Sequence, residues 1–449
     1  MDNKDDKMFQ YLNNATDTFN NLNQRDVAST EWIGKIYAAM PLYKLLTLNL
    51  SADHWQQLNK TEQITNSAEN RFNNQFEQNY TTQIDSLSIK FNNHQTQNSV
   101  KPFLSIRGKY YYMSGGVTWL NLLLENSYQS GQVLAPKNYN KILPFYSLSY
   151  YPARKAYLHF SASKTTEFPK ITDLLPVLNI GNNYERSIGN EFLNPSDNYN
   201  VRIYTSLYKL KGFKYFYFGS SASMSNNAKI WVNKQGDDGI IVKTPENASG
   251  KNNLNAWFNV SKKLYKIAYL SLSANKNDSK TPIVINNQKA FSVNKGTSLS
   301  PTFNLSYSDS LELSVGMTWN RNNFSNTINK NLDYIQDIYS YSFEARVLFK
   351  PGTELNTSLN ISDQRNVPGI GKVIPIWNAY IQQPLGKKSK LNLKLTAYDI
   401  LKQNTSIRRY QNDNFVYINQ SNQLQQYFML TLVYKIKKMG GQEGMNYVY

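Results

Sequence analysis

Residues 311–319 read Leu-Glu-Leu-Ser-Val-Gly-Met-Thr-Trp. In an extended chain successive side chains point to opposite faces, so Leu311, Leu313, Val315, Met317 and Trp319 share one side. Glu312, Ser314, Gly316 and Thr318 share the other. The stretch just before repeats the pattern, with Leu299, Pro301, Phe303, Leu305 and Tyr307 set against Ser300, Thr302, Asn304, Ser306 and Ser308. Two such strands around Asp309–Ser310 form a hairpin with one apolar and one polar face. The rhythm recurs through most of the 449 residues. So large an apolar face needs an equally large apolar neighbour. A bilayer around a closed sheet provides one, so the expected class is all-β, an antiparallel transmembrane β-barrel.

Composition agrees. Only 40% of residues are hydrophobic and 18% charged, so much of the polarity comes from uncharged Asn, Ser, Thr and Gln. A soluble protein of this size carries Leu, Val and Ile runs beneath a more charged surface. No run of about 18 apolar residues is present, which excludes a membrane-spanning helix but not a membrane-spanning strand. The chain has no Cys, hence no disulfide framework and no Cys-ligated metal. His54, His94 and His159 have no partner at ligand spacing, and no cofactor is expected. The formal charge of +18 suits anionic lipid head groups. The basic residues form no stripe, and nucleic acid is not expected as a partner.

Short connections are expected at Leu42–Lys44, Ser114–Gly116, Pro152–Lys155, Lys209–Gly212, Lys262–Leu264, Asp309–Ser310, Pro351–Gly352 and Leu385–Ser389. Long polar ones lie between them, at Thr165–Asn198, Asn227–Asn252, Lys276–Ser298, Asn322–Asp337, Asp363–Val373 and Gln403–Gln426. Short periplasmic turns alternating with long extracellular loops are what a membrane barrel shows. Eight hairpins and a last strand at Tyr427–Ile436 give about seventeen strands. A further pair near Phe72–Lys90 is open. The expected division is a polar N-terminal segment over 1–30, the barrel over 31–437 and a tail over 438–449. Tyr110, Tyr111 and Tyr112 before a turn, Phe213–Phe218 after one, and Trp257, Trp319 and Trp377 suit an interfacial aromatic girdle; β-propensity is the competing account.

Few motifs carry chemistry. Pro368–Lys372 (PGIGK) lacks the upstream Gly and the following Ser or Thr of a phosphate loop. Ser161–Lys164 fits S-x-x-K without companion motifs. Asp237 and Asp238 beside Gly236 and Gly239 have a turn's composition, without the spaced oxygens of a calcium loop. Nothing supports catalysis, and the chain is expected not to be an enzyme.

Two segments resemble a known family. Leu158–Pro195 ends in Pro169, Leu175, Pro176, Gly189, Asn190, Leu193 and Pro195; Leu393–Gly441 contains Asp399, Leu401, Asn404, Arg408, Arg409, Tyr427, Phe428, Leu430, Leu432 and Tyr434. Both resemble the outer-membrane β-barrel family related to TonB-dependent receptors, in its "GNP-x-L-x-P" loop and its C-terminal "D-L-x-N-Q … YF-x-L-x-L-x-Y" strands. Glu191 and Phe192 stand where the usual Pro would follow Gly189-Asn190. The resemblance implies about 16–18 strands of a 22-stranded transporter-type barrel in the outer membrane. It implies binding or uptake of an extracellular nutrient. The implied partners are outer-membrane lipid and lipopolysaccharide, the barrel-assembly machinery, and TonB through a plug.

An odd strand number and the start at Met1–Lys7 (MDNKDDK), with no apolar stretch after it, lead to a further expectation. The chain is read as a piece of a longer gene product that lacks signal peptide, plug and first strands. Candidate ligand contacts are the loop aromatics Tyr184, Trp231, Tyr334 and Tyr410, against the alternative that they anchor their loops. Two other readings stay open: a plug-less porin or structural barrel, and a secreted soluble glycan-binding β-protein such as a propeller. A propeller should show a repeat of about 40–50 residues, and only the hairpin rhythm is visible.

Overall fold

The computed structural model describes residues 21–68, 80–83, 89–128, 133–153, 155–175, 178–182, 185–208, 213–236, 240–285, 288–308, 310–328, 330, 333–349, 352–365, 373–386, 391–404, 407–411, 416–420 and 424–434. The expected C-terminal tail, Pro176, Tyr184, the PGIGK segment and Asp237–Asp238 lie outside them.

The strands are β1 (Asn21–Pro41), β2 (Leu46–Ala68), β3 (Tyr80–Gln83), β4 (Ile89–Arg107), β5 (Tyr111–Tyr128), β6 (Val133–Ala153), β7 (Ala156–Glu167), β8 (Leu178–Asn182) and β9 (Glu185–Ile188). They continue as β10 (Ser196–Tyr208), β11 (Phe213–Asn226), β12 (Ala228–Gln235), β13 (Ile241–Ala248), β14 (Lys251–Tyr265), β15 (Ala268–Ile285), β16 (Gln288–Tyr307) and β17 (Leu311–Asn326). The last are β18 (Tyr334–Leu348), β19 (Glu354–Arg365), β20 (Val373–Leu385), β21 (Leu391–Tyr398), β22 (Ile407–Gln411), β23 (Val416–Gln420) and β24 (Tyr427–Tyr434). One helical turn, α1 (Ile171–Leu174), stands between β7 and β8. Twenty-two strands form one sheet, and β22 and β23 form a separate pair. The 24 strands among the described residues exceed the roughly seventeen expected, because β3, β8, β9, β12, β13, β22 and β23 fall in stretches expected as connections or left open.

Several expected turns move. Ser114–Gly116 lies inside β5, and the chain reverses at Gly108–Tyr110, where the Gly108 amide donates to the Tyr111 carbonyl at 2.9 Å. Tyr110 therefore lies in the turn, and Tyr111 and Tyr112 follow it. Gly116 serves close approach instead: a Cβ there would sit 2.4 Å from the Pro102 carbonyl oxygen on the neighbouring strand. Lys262–Leu264 belongs to β14, and the reversal falls at Lys266–Ile267. The polar stretch expected as the loop Lys276–Ser298 is mostly strand, an extension of the β15–β16 hairpin. Asn227–Asn252 and Gln403–Gln426 likewise contain strands, β12 and β13 in one and β22 and β23 in the other. Polar strands escape an alternation search because neither of their faces meets lipid. β1 begins at Asn21, ten residues before Glu31, within the expected polar N-terminal segment. Near Phe72–Lys90 the described residues are the four-residue β3, paired with the end of β2, and the first two residues of β4.

Contacts divide the chain into two units. The first comprises Met1–Tyr204, Ser220–Leu254 and Ser279–Ser292. Here β1, β2, β4, β5, β6 and β7 pair antiparallel in succession. β12 and β13 form an antiparallel hairpin, and β13 continues in parallel onto β9. Val117, Trp119, Ile142, Tyr146 and Tyr150 are exposed on one face of the wall. On the other, Phe91, Leu122 and Leu124 are buried beneath Leu174, Leu175 and Leu193 from the connection that follows β7. The core is a patch where this connection folds back on the wall. A second patch joins Ile230 and Val232 to Val284.

The second unit comprises Thr205–Gly219, Asn255–Asp278 and Val293–Tyr449. Its wall strands keep one register, so residues of like kind meet across several strands. Leu311, Val347, Leu355, Ile381, Leu395 and Leu430 make one apolar row, and Val315, Phe343, Leu359 and Trp377 another. Many of these side chains are exposed, as suits a face covered by lipid chains. The opposite face is polar: Arg346 reaches Glu312 (3.5 Å) and Glu354 (3.0 Å), and the Tyr380 hydroxyl donates to Glu354 at 2.5 Å. Cross-strand pairs of this kind are what hold register.

Candidate functional site

The described parts of the connection Phe168–Pro195 are a built object, and the motif residues Leu175, Gly189, Asn190 and Leu193 help build it. Asp173 closes the helical turn by accepting the Lys170 amide at 3.2 Å. Its carboxylate is buried and takes an ion pair from Lys229 on β12 at 2.8 Å. A buried carboxylate needs such a partner, so the pair ties the connection to the β12–β13 hairpin. On the return path the Gly189 amide donates to the Leu175 carbonyl (2.9 Å) and the Asn190 amide to the Asp173 carbonyl (2.7 Å). The Asn190 side chain donates to the Pro245 carbonyl at 3.0 Å and accepts the Phe192 amide at 3.0 Å. Asn247 accepts the Asn194 amide (2.8 Å) and donates to the carbonyls of Asn194 (2.9 Å) and Asn227 (2.8 Å). From the wall, the Tyr139 hydroxyl donates to the Leu193 carbonyl at 3.3 Å, and the Lys137 ammonium donates to the Glu191 carbonyl. Pro195 is buried next to Ser196, where β10 begins.

A fixed rim results, and aromatic and charged groups stand on it. Phe192 is 78% exposed and Trp231 is 42% exposed. The Lys229 ammonium lies 5.6 Å from the Trp231 ring centroid while still holding Asp173. A shallow crevice beside this pair is lined by Glu167, Pro169, Asp173, Leu193, Asn194 and Lys229. Just below, Asp197 accepts ion pairs from Lys141 (3.0 Å) and Lys164 (3.1 Å), which gives the Lys of the S-x-x-K match a structural role. Exposed rings beside fixed cations can stack on planar or sugar groups and meet anionic ones.

The C-terminal motif is also a backbone device. Asp399 has φ of 45°, a conformation Asp tolerates better than most residues. Its amide donates to Asn378 Oδ1 at 2.9 Å, while its two carboxylate oxygens accept the amides of Gln403 (3.0 Å) and Asn404 (2.9 Å). Leu401 sits exposed on this turn. Tyr427 stacks on Tyr398 at 4.5 Å, where β24 starts its pairing with β21. Phe428, Leu430, Leu432 and Tyr434 are exposed along one side of β24. Arg408, Arg409 and Tyr410 lie on β22, and their side chains are outside the description.

Among the candidate loop aromatics, Trp231 stands on the rim. Tyr334 stacks on Phe324 at 5.5 Å, the geometry of a loop anchor. Asp173, Lys229 and Asn247 were not singled out by sequence, and Phe192 was noted only as a departure from the family's loop. Among the described residues no group of three or more His, Asp or Glu is placed to hold a metal ion.

Long antiparallel strands with an exposed apolar face are the architecture of a membrane-spanning β-sheet. The chain belongs to the outer membrane protein beta-barrel family, whose family model matches residues 2–317. A search of curated proteins returned no match. Among solved structures the chain is similar to the ferric yersiniabactin uptake receptor FyuA from Yersinia pestis, at 10% identity and a TM-score of 0.42, over 92% of this chain and 62% of that one. It is also similar to the siderophore receptor PirA from Pseudomonas aeruginosa (10% identity, TM-score 0.36, 77% of this chain and 71% of that one). A third is the ferric-catecholate import receptor Fiu from E. coli K12 (10% identity, TM-score 0.29, 94% and 82%). The chain thus spans less than two thirds of the length of FyuA. Family membership makes it an outer-membrane protein, and the soluble glycan-binding alternative is set aside.

Proposed function

We propose that this barrel binds an extracellular nutrient and takes part in its uptake, in the manner of a TonB-dependent receptor. The observation that carries the reading is the rim. A long connection is locked onto the wall by buried Leu174, Leu175 and Leu193 and by the Asp173–Lys229 pair, and it leaves Phe192 and Trp231 exposed. Loops held this firmly on a rigid scaffold suit recognition. The ligand is captured without chemistry being done on it. In this reading energy reaches the barrel from TonB through a plug, lipopolysaccharide surrounds the wall, and the barrel-assembly machinery inserts it.

The test is a titration of the purified protein in detergent, reading Trp fluorescence, with ferric chelates and with neutral oligosaccharides as two separate panels. Saturable quenching by one panel, lost in Trp231→Leu, is the expected result. Equal, unsaturable response to both would oppose the reading. Uptake by intact cells that persists after the proton-motive force is collapsed would favour the plug-less porin.

A further inference from the structure

We propose that the polar face of the first unit's wall binds an oligosaccharide of uronic acids, its carboxylates held by Lys101 and Arg107. The site, which rests on the uptake reading above, gives that reading a class of ligand. Along β4, β5, β6 and β7 the pairing sets the rows of this face. Phe103, Gly116, Phe145 and Ser163 are aligned, then Ser105, Ser114, Ser147 and Ser161, then Arg107, Tyr112, Ser149 and His159. Val117, Trp119, Ile142, Tyr146 and Tyr150 are exposed on the opposite face, so these rows are turned away from lipid.

Two cations of β4 stand on aromatic rings. The Lys101 ammonium lies 4.2 Å from the Phe145 ring centroid and 5.4 Å from that of Phe103. These two rings meet edge to face at 5.9 Å, with Gly116 between them in the row. A Cβ on Gly116 would come 2.5 Å from Phe103 Cβ, so the bare backbone lets the rings close over it. The Arg107 guanidinium lies 5.4 Å from the Tyr112 ring centroid. Elsewhere in this unit Lys90 is paired with Glu62, and Lys141 and Lys164 with Asp197. Among the described residues Lys101 and Arg107 have no carboxylate partner. A ring holds a cation without accepting its N–H groups as a carboxylate would, so both keep donors for an anion.

Six residues of strand set the two cations ~20 Å apart. The ligand they suit is extended and carries charge at intervals. Between them runs the serine row, where Ser105 Oγ accepts Asn49 Nδ2 at 2.9 Å. In the Arg107 row, Ser149 Oγ lies 3.3 Å from the Tyr157 hydroxyl and 3.1 Å from His159 Nδ1. Hydroxyls both donate and accept, and short side chains leave room above the row. A uronic acid matches each part. Its C–H face stacks on a ring, its hydroxyls meet the serines, and its carboxylate takes the ammonium or the paired guanidinium donors. An acidic peptide would match the cations but brings no array of hydroxyls to the serine row.

The experiment is calorimetric titration of the purified full chain in detergent with four probes: oligogalacturonate, its methyl ester, oligoglutamate of equal charge, and a ferric chelate. The expected result is saturable binding of oligogalacturonate, at least tenfold tighter than that of the ester or of oligoglutamate. Lys101→Gln and Arg107→Gln should each weaken it at least tenfold, whereas Lys101→Arg, which keeps the charge, should bind within about threefold of the wild type. Heat-modifiable gel mobility of each variant is the control for folding. Equal affinity for acid and ester in the wild-type chain overturns the carboxylate assignment without recourse to any variant. Equal affinity for oligoglutamate overturns the sugar assignment, and full affinity in both Gln variants overturns the placement. Saturable binding of the ferric chelate alone overturns the proposal and leaves the uptake reading standing. Saturable binding of none of the four overturns the proposal and counts against the uptake reading as well.

Discussion

The amide of Gly189 donates to the carbonyl of Leu175 at 2.9 Å, and a Cβ on Gly189 would lie 2.2 Å from that same oxygen. The two backbones touch, so the contact holds only while residue 189 has no side chain. Gly189→Ala should separate the two legs of the connection and release the Asn190 bonds to Asp173 and Pro245. The wall strands do not depend on this contact. Limited proteolysis should cut the variant between residues 171 and 193 at least tenfold faster, while its heat-modifiable mobility stays that of the wild type. Unchanged cleavage would show that the close approach is not what fixes the connection.

Leu174 is fully buried between α1 and the wall residues Phe91, Leu122 and Leu124. Leu174→Ala removes that packing and leaves a cavity, at a cost of about 2–5 kcal/mol for such a site. Because the patch joins a connection to a wall, the loss should appear as local opening. Hydrogen exchange at residues 171–175 and 189–193 should accelerate, with strands β4 and β5 changing little. Uniform acceleration through β4 and β5 would mean that the patch stabilises the wall itself.

Asp399 collects the amides of Gln403 and Asn404 on its two oxygens while holding a positive φ. Asp399→Ala leaves both amides without this acceptor and places a residue less tolerant of that φ in the turn. The expected loss is about 0.5–1.5 kcal/mol per lost bond, since Gln403 is exposed and Asn404 half-buried and water can take the acceptor's place. Asp399→Asn keeps one carbonyl oxygen and the tolerance for φ, and should recover roughly half of the loss. Urea unfolding from micelles checks the order wild type, Asn, Ala. A variant order with Ala equal to Asn would deny the carboxylate its role.

The wall was legible from period-two alternation because lipid on one side selects for it: Leu311–Trp319 becomes β17 and Tyr427–Tyr434 becomes β24. Where no lipid selects, the pattern fades, which is why β12, β13, β22 and β23 lay hidden in polar connections. Gly115 and Gly116 suggested a turn, but glycine also serves close strand approach, and the neighbour is visible only in three dimensions. The motif residues were legible by resemblance, whereas their work was not. Gly189, Asn190 and Asp399 act through backbone groups that sequence does not display. Asp173 and Lys229 are 56 residues apart and meet only through the fold.

The sidedness of the wall can be tested within a single dipeptide. Ser342 and Phe343 are neighbours on β18, and their side chains point to opposite faces. Phe343 pairs with Val315 and Leu359 in the middle of the apolar rows, whereas Ser342 pairs with Gly316 and Asn360. A lysine near the bilayer midplane costs about 2–4 kcal/mol on the lipid face of a barrel. Phe343→Lys should therefore reduce the fraction that inserts into vesicles and shift urea unfolding by that amount. Ser342→Lys adds the same charge one residue away, on the polar face near Glu344, and should change either quantity by no more than about 1 kcal/mol, the ordinary range for an exposed charge. Equal damage from both would mean that the two faces meet the same medium, and the barrel reading would fail with it.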